Sequence, residues 1–112
     1  MELRRLLCLA LAALAAPCAA AQRADADYPA RHIRMIAPFT AGSTLDIMAR
    51  IIAERLGGQL GHNIVVDNRP GANGIVGIDL VAKAPPDGYT MLITTGSFVG
   101  NIVLYRKLPY DG

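Results

Sequence analysis

The chain has 112 residues, 53% of them apolar, and its 11 basic and 9 acidic side chains leave a formal charge of +2. That balance, with no tryptophan and no basic run interleaved with aromatics, excludes an electrostatic binder of nucleic acid or of an anionic membrane surface. The two cysteines, Cys8 and Cys18, both lie in the first segment, which rules out a disulfide framework or thiol chemistry downstream.

Arg4 and Arg5 precede an apolar run from Leu6 to Ala16, followed by Pro17 and Cys18-Ala19-Ala20-Ala21. A basic start, a short apolar stretch and a small-x-small close read as a signal peptide over residues 1–21, cleaved before Gln22. The run is too short for a permanent membrane anchor. Pro17 and Ala15 are wrong for lipid attachment at Cys18, and the residues around Arg4-Arg5 match a twin-arginine signal poorly. The expectation is export to the periplasm. Residues 22–31, with Asp25, Asp27 and Pro29, then form a flexible polar lead-in.

His32 to Ala37 is short, aliphatic and closed by Pro38, as suits a buried strand. The loop P-F-T-A-G-S-T-L-D, Pro38 to Asp46, leads into a helix with Ser43 or Thr44 as N-cap. Asp46 is placed to accept first-turn N–H bonds and to complement the helix dipole. Leu45, Met48, Ile52, Leu56 and Leu60 recur at helical spacing and predict the inward stripe, with Arg50, Glu54 and Arg55 off it. Gly61 is the expected C-cap.

Ile64 to Asp67 reads as a second strand, ended by the turn Asn68-Arg69-Pro70-Gly71. Gly74 to Lys83 predicts a short helix with Ile75, Ile78, Leu80 and Val81 inward. After the turn Pro85-Pro86-Asp87-Gly88, Tyr89 to Thr95 predicts a third strand and Val99 to Tyr105 a last short helix. The order βαβαβ predicts an α/β fold: a parallel sheet with right-handed crossovers and helices packed on it. Ligands of such sheets bind beyond the carboxyl ends of the strands. The loops there are Pro38 to Thr44, Asn68 to Gly74 and Thr95 to Phe98, all rich in small polar residues.

Thr40, Gly42, Ser43 and Thr44 offer donors without bulk at a helix N-terminus, the make-up of an anion seat. Gly71-x-x-Gly74-x-x-Gly77 follows a strand in the manner of a dinucleotide fingerprint. Its third position is Asn73 instead of glycine, and no ribose-binding acid follows at the required distance. The competing reading is a tight turn whose glycines allow close packing. His32 and His62 have no third ligand nearby, so no metal site is expected. Gly42-Ser43-Thr44 is not a nucleophile elbow. No catalytic residue and no cofactor is expected.

The segment Y-P-A-R-H-I-R-M-I-A-P-F-T-A-G-S-T-L-D-I-M-A-R resembles the first strand, loop and helix of the tripartite tricarboxylate transporter receptors, the Bug family of extracytoplasmic solute-binding proteins. The similarity continues through V-V-D-N-R-P-G-A-N-G, V-A-K-A-P-P-D-G-Y-T-M-L and L-Y-R-K-L-P-Y-D, and covers Tyr28 to Asp111. The resemblance implies a partial periplasmic-binding-protein domain of type II-like architecture. Residues 32–112 would be the N-terminal part of the first of two solute-binding domains, with the second domain absent. It also implies a monomeric receptor that traps a small organic carboxylate and delivers it to membrane transporter subunits.

Carried over by resemblance, backbone amides of Phe39, Thr40, Ala41, Gly42, Ser43 and Thr44 would meet the ligand carboxylate, in part through water. Pro38 and Asp46 would shape the loop, and Thr95, Gly96 and Ser97 would supply a second contact. The family commonly has two adjacent glycines in the first loop, where this chain has Gly42 and then Ser43. Two other readings stand beside the receptor: a truncated remnant without function, and an exported nucleotide-binding α/β domain using the Gly71 to Gly77 turn.

Overall fold

The computed structural model of the chain describes residues 27–111. The expected signal peptide, its cleavage point, both cysteines and the start of the lead-in lie outside the described residues.

Strand β1 (Ile33–Ala37) is the middle of a three-stranded sheet of order β2-β1-β3, with β2 spanning Ile64–Asn68 and β3 spanning Thr90–Leu92. Both pairings are parallel, with Ile33 opposite Ile64 and Arg34 opposite Thr90. This is the expected parallel α/β arrangement, and its central strand carries the core: Ile33 and Ile36 are wholly buried. β3 is shorter than the expected Tyr89–Thr95. Its ladder runs from Arg34 opposite Thr90 to an Ile93 N–H donating to the Ile36 carbonyl at 3.0 Å. The next residue of β1 that would face β3 is Pro38, which has no N–H to offer.

Helix α1 (Thr44–Leu60) begins at Ser43, whose Oγ accepts the Asp46 N–H, and ends at Gly61 in the left-handed conformation (φ 70°). A 3₁₀ turn (Ala72–Gly74) leads into α2 (Ile75–Ala82), and α3 (Ser97–Leu104) follows β3. A Cβ on Gly57 would lie 3.8 Å from the Ile64 side chain, and one on Gly77 would lie 3.3 Å from that of Ile36. Ile64 stands opposite Ile33. Since side chains alternate along β1, the two glycines place α1 and α2 on opposite faces of the sheet.

The expected inward stripe of α1 is corrected. Leu45, Met48 and Ile52 are 39%, 52% and 44% exposed, and the buried residues are Asp46, Ala49 and Ala53. Leu56 and Leu60 are half-buried beside them. Small side chains let the helix backbone sit close over the sheet, and Leu45, Met48 and Ile52 are left largely exposed. On α2 the inward reading holds at Ile78, which is buried with Gly77, while Ile75, Leu80 and Val81 are half-buried.

The lead-in expected to be flexible is held in place over its described end. Tyr28 Oη donates to the Gly88 carbonyl at 2.6 Å, and the Ala30 N–H donates to Tyr89 Oη at 2.8 Å. The Tyr28 and Tyr89 rings meet edge-on at 5.1 Å, and the Arg31 guanidinium lies 3.9 Å above Tyr89. Aromatic area and paired polar tips together fix a segment that its composition alone would leave loose.

Candidate functional site

The connection leaving β1 runs to α1 on one face of the sheet. The connection leaving β3 runs to α3, which packs with α2 on the other. Adjacent strands whose connections part to opposite faces define the switch point of an open parallel sheet, where a crevice forms beyond the carboxyl ends. Pro38 to Thr44 and Thr95 to Ser97 are the two loops at that point. A depression of about 430 Å³ near Gly57, Gly61, His62 and Ile64 lies at the other, amino-terminal edge.

The first loop is built from fixed parts. Pro38 packs against α2, where a Cβ on Gly77 would come within 2.8 Å of the proline Cβ. The Phe39 carbonyl accepts a bond from Asn68 Nδ2 at 3.1 Å. The Ser43 N–H donates to the Thr40 carbonyl at 3.3 Å. Gly42, at φ 82°, makes the left-handed turn that lets its own N–H reach Asp46 Oδ2 at 2.8 Å. Ser43 is extended (φ −70°, ψ 162°), a conformation open to serine, and its hydroxyl caps α1.

Asp46 holds this loop together. It is 3% exposed and accepts from the Gly42 N–H, from Asn68 Nδ2 at 2.9 Å and from Arg50 Nε at 3.0 Å. The Gly42 N–H, then Asn68 and Arg50, favour its charged form and lower its pKa from 3.8 to about 2. The carboxylate is thereby turned into the protein, and its charge is matched there. The N–H groups of Phe39, Thr40, Ala41 and Thr44 have no acceptor among the described residues. They sit at the N-terminus of a 17-residue helix, whose dipole favours an anion.

The third loop is bonded within itself. Thr95 Oγ1 and Ser97 Oγ are 3.1 Å apart, and the Phe98 N–H donates to the Thr95 carbonyl at 3.1 Å. α3 therefore starts at Ser97, two residues before the expected Val99. Between these loops lies the Gly71 to Gly77 motif, whose glycines are used in turn and packing. Gly71, Ala72, Asn73 and Gly74 all have positive φ, and Gly74 and Gly77 lie against Pro38. Asn73 Nδ2 donates to Asn101 Oδ1 at 2.8 Å, and Asn101 Nδ2 returns a bond to the Asn73 carbonyl at 3.0 Å.

Sequence reasoning placed both loops correctly at one edge of the sheet but missed the residues that brace them. Asn68 and Arg50 hold the first loop, and the wholly buried Asn101 ties α3 to the turn before α2. Among the described residues no group of acidic, histidine or cysteine side chains is arranged to hold a metal. Asp67 is paired with Arg34 and Arg69, which lower its pKa, so that its charge too is matched within the protein.

Residues 48–112 match the model of the tripartite tricarboxylate transporter family receptor. A UPF0065 protein of the tcbD-tcbE intergenic region of Pseudomonas sp. strain P51 is 43% identical over 108 residues, 96% of this chain and 32% of that protein. The periplasmic binding protein BugD is 40% identical with a TM-score of 0.72, over 75% of this chain and 28% of BugD. The R. palustris protein Rpa4515, solved with adipate, is 41% identical with a TM-score of 0.66, over 76% of this chain and 29% of its own. The chain spans about a third of the length of the curated relatives it matches. By the family match and by identity across nearly its whole length, the chain belongs to the tripartite tricarboxylate transporter receptor family.

Proposed function

We propose that the chain forms one wall of the ligand cleft of an exported receptor for a small organic carboxylate. The observation that carries this reading is the row of unengaged N–H groups at Phe39, Thr40, Ala41 and Thr44, in a loop fixed at a helix N-terminus and at the switch point of the sheet. The adipate held by one relative supports a carboxylate as the anion. Gly42 and Ser43 shape the turn, since their N–H groups are already bonded within the protein. Thr95, Gly96 and Ser97 face the ligand from the neighbouring strand. The mechanism is binding without chemistry and without a cofactor. Residues 1–21 direct the chain to the periplasm, where it acts as a monomer and passes the ligand to membrane transporter subunits.

The test is a titration of the ¹⁵N-labelled chain with adipate, malate and acetate, followed through backbone amide shifts. Saturable shifts centred on Thr40, Ala41 and Thr44 are expected, at millimolar strength (about −4 kcal/mol) because a single wall encloses little of the ligand. Absence of saturable shifts in these amides with every acid sinks the reading.

A further inference from the structure

A side chain on β2 bonds the backbone of the first loop at Phe39. Asn68 ends β2, and both hydrogens of its amide group are engaged: one with the Phe39 carbonyl at 3.1 Å, the other with Asp46 Oδ1 at 2.9 Å. Its oxygen accepts from Arg50 Nη2 at 3.2 Å, and Arg50 Nε donates to Asp46 Oδ2 at 3.0 Å. The ring of Asn68, Arg50 and Asp46 permits one orientation of the asparagine amide. Turned over, it would set its oxygen against a carbonyl and a carboxylate and its hydrogens against a guanidinium.

The peptide unit is planar and trans, so a carbonyl and the N–H that follows it point in opposite directions. Drawing the Phe39 carbonyl towards Asn68 therefore turns the Thr40 N–H away from the protein. That N–H has no acceptor among the described residues.

We propose that Asn68 is a positioning residue for carboxylate binding, aiming the Thr40 N–H outward through its bond to the Phe39 carbonyl, with Arg50 and Asp46 fixing the asparagine. The inference rests on the receptor reading and deepens it: the site's affinity depends on a residue that does not touch the ligand. Replacing Asn68 removes both donors. The Phe39–Thr40 peptide is then free to rotate, and the seat loses a preorganised donor.

The experiment compares the full chain with Asn68→Leu and with the near-isosteric Asn68→Asp, each titrated with adipate and followed through amide shifts. Affinity is expected to fall about tenfold, the weight of one well-aimed bond, with the loss concentrated in the shift of the Thr40 amide. In Asn68→Asp the new carboxylate would face Asp46 and Arg50, the charged groups on α1 packed against this position. Its binding, taken relative to the unaltered chain at the same pH so that protonation of adipate itself cancels, is then expected to recover partly as the pH is lowered and the new carboxyl takes up a proton that it can donate to the Phe39 carbonyl, a profile that a merely structural loss would not produce. Affinity unchanged in a folded variant, or a loss in Asn68→Asp that is insensitive to pH, overturns the inference and leaves the receptor reading standing. No saturable shift in the unaltered chain overturns both.

Discussion

The first and third loops stand at the same edge of one sheet and are held in different ways. Pro38 to Thr44 is braced from three elements: Gly77 of α2 beneath Pro38, Asn68 of β2 at Phe39, and Asp46 of α1 at Gly42. Among the described residues, Thr95 to Ser97 has bonds only between its own residues and the first turn of α3. Strand order accounts for the contrast. β1 is central, so the loop leaving it has a neighbour on either side, whereas β3 is flanked by β1 alone among the described residues. A braced loop meets its ligand with little ordering left to do, and a loosely held one can adapt to what arrives. One edge thus combines a rigid loop with an adjustable one.

The contrast can be broken most forcefully at Gly77. Gly77→Val puts a branched side chain where a Cβ alone would lie 2.8 Å from Pro38 and 3.2 Å from the Arg69 carbonyl. About 3 kcal/mol of stability should be lost, read as a lowered denaturation midpoint, with amide shifts concentrated in the first loop.

Acid acts next, through Asp46. Its pKa is held at about 2 against an ordinary 3.8, so the folded form favours the charged carboxylate. The stability this confers is complete above the ordinary value and fades as the pH falls through about 2. Denaturation midpoints measured downward from about pH 5 should decline, and Asp46→Asn should flatten the decline. Asp67, lowered by Arg34 and Arg69, leaves a residual slope of the same sign.

A smaller effect belongs to Gly42→Ala. Nothing lies within 4 Å of the new Cβ, so the cost is the left-handed backbone alone, about 1 kcal/mol. The smallest is in the third loop. Thr95→Val removes an exposed hydroxyl contact and should change stability by less than about 0.5 kcal/mol, measured in the same denaturation series. Equal losses at Gly42 and Thr95 would show that the two loops are held alike.

Much of the local structure was legible because its causes are local. Ser43 caps the residue three places on, Gly61 closes its own helix, and Pro38 ends its own strand, so each signal lies within a few letters of its effect. The facing of α1 was not legible in the same way. Its apolar residues lie on both sides, and a periodicity count selected the large aliphatic ones, when the sheet had taken Ala49 and Ala53. Ile47 and Ile51, each 54% exposed, show how apolar the outer side is. The braces of the site were beyond local reading altogether. Asn68 reaches back 29 positions to Phe39, and Asn101 reaches 28 to Asn73, and no spacing rule connects asparagines with such partners. The make-up of the proposed anion seat was legible in the loop, but the asparagine bonded to it was not.

The Tyr28 strap has a consequence for the order in which the chain is secured. A polypeptide is made from its N-terminus, and Tyr28 is followed by 60 further positions before its partner Gly88 exists. β1, which comes next, is likewise incomplete until β3 supplies the second of its two ladders. Contacts so distant in sequence form late, because the intervening chain must first be closed into a loop. The segment that opens the described fold is therefore among the last parts of it to be fastened.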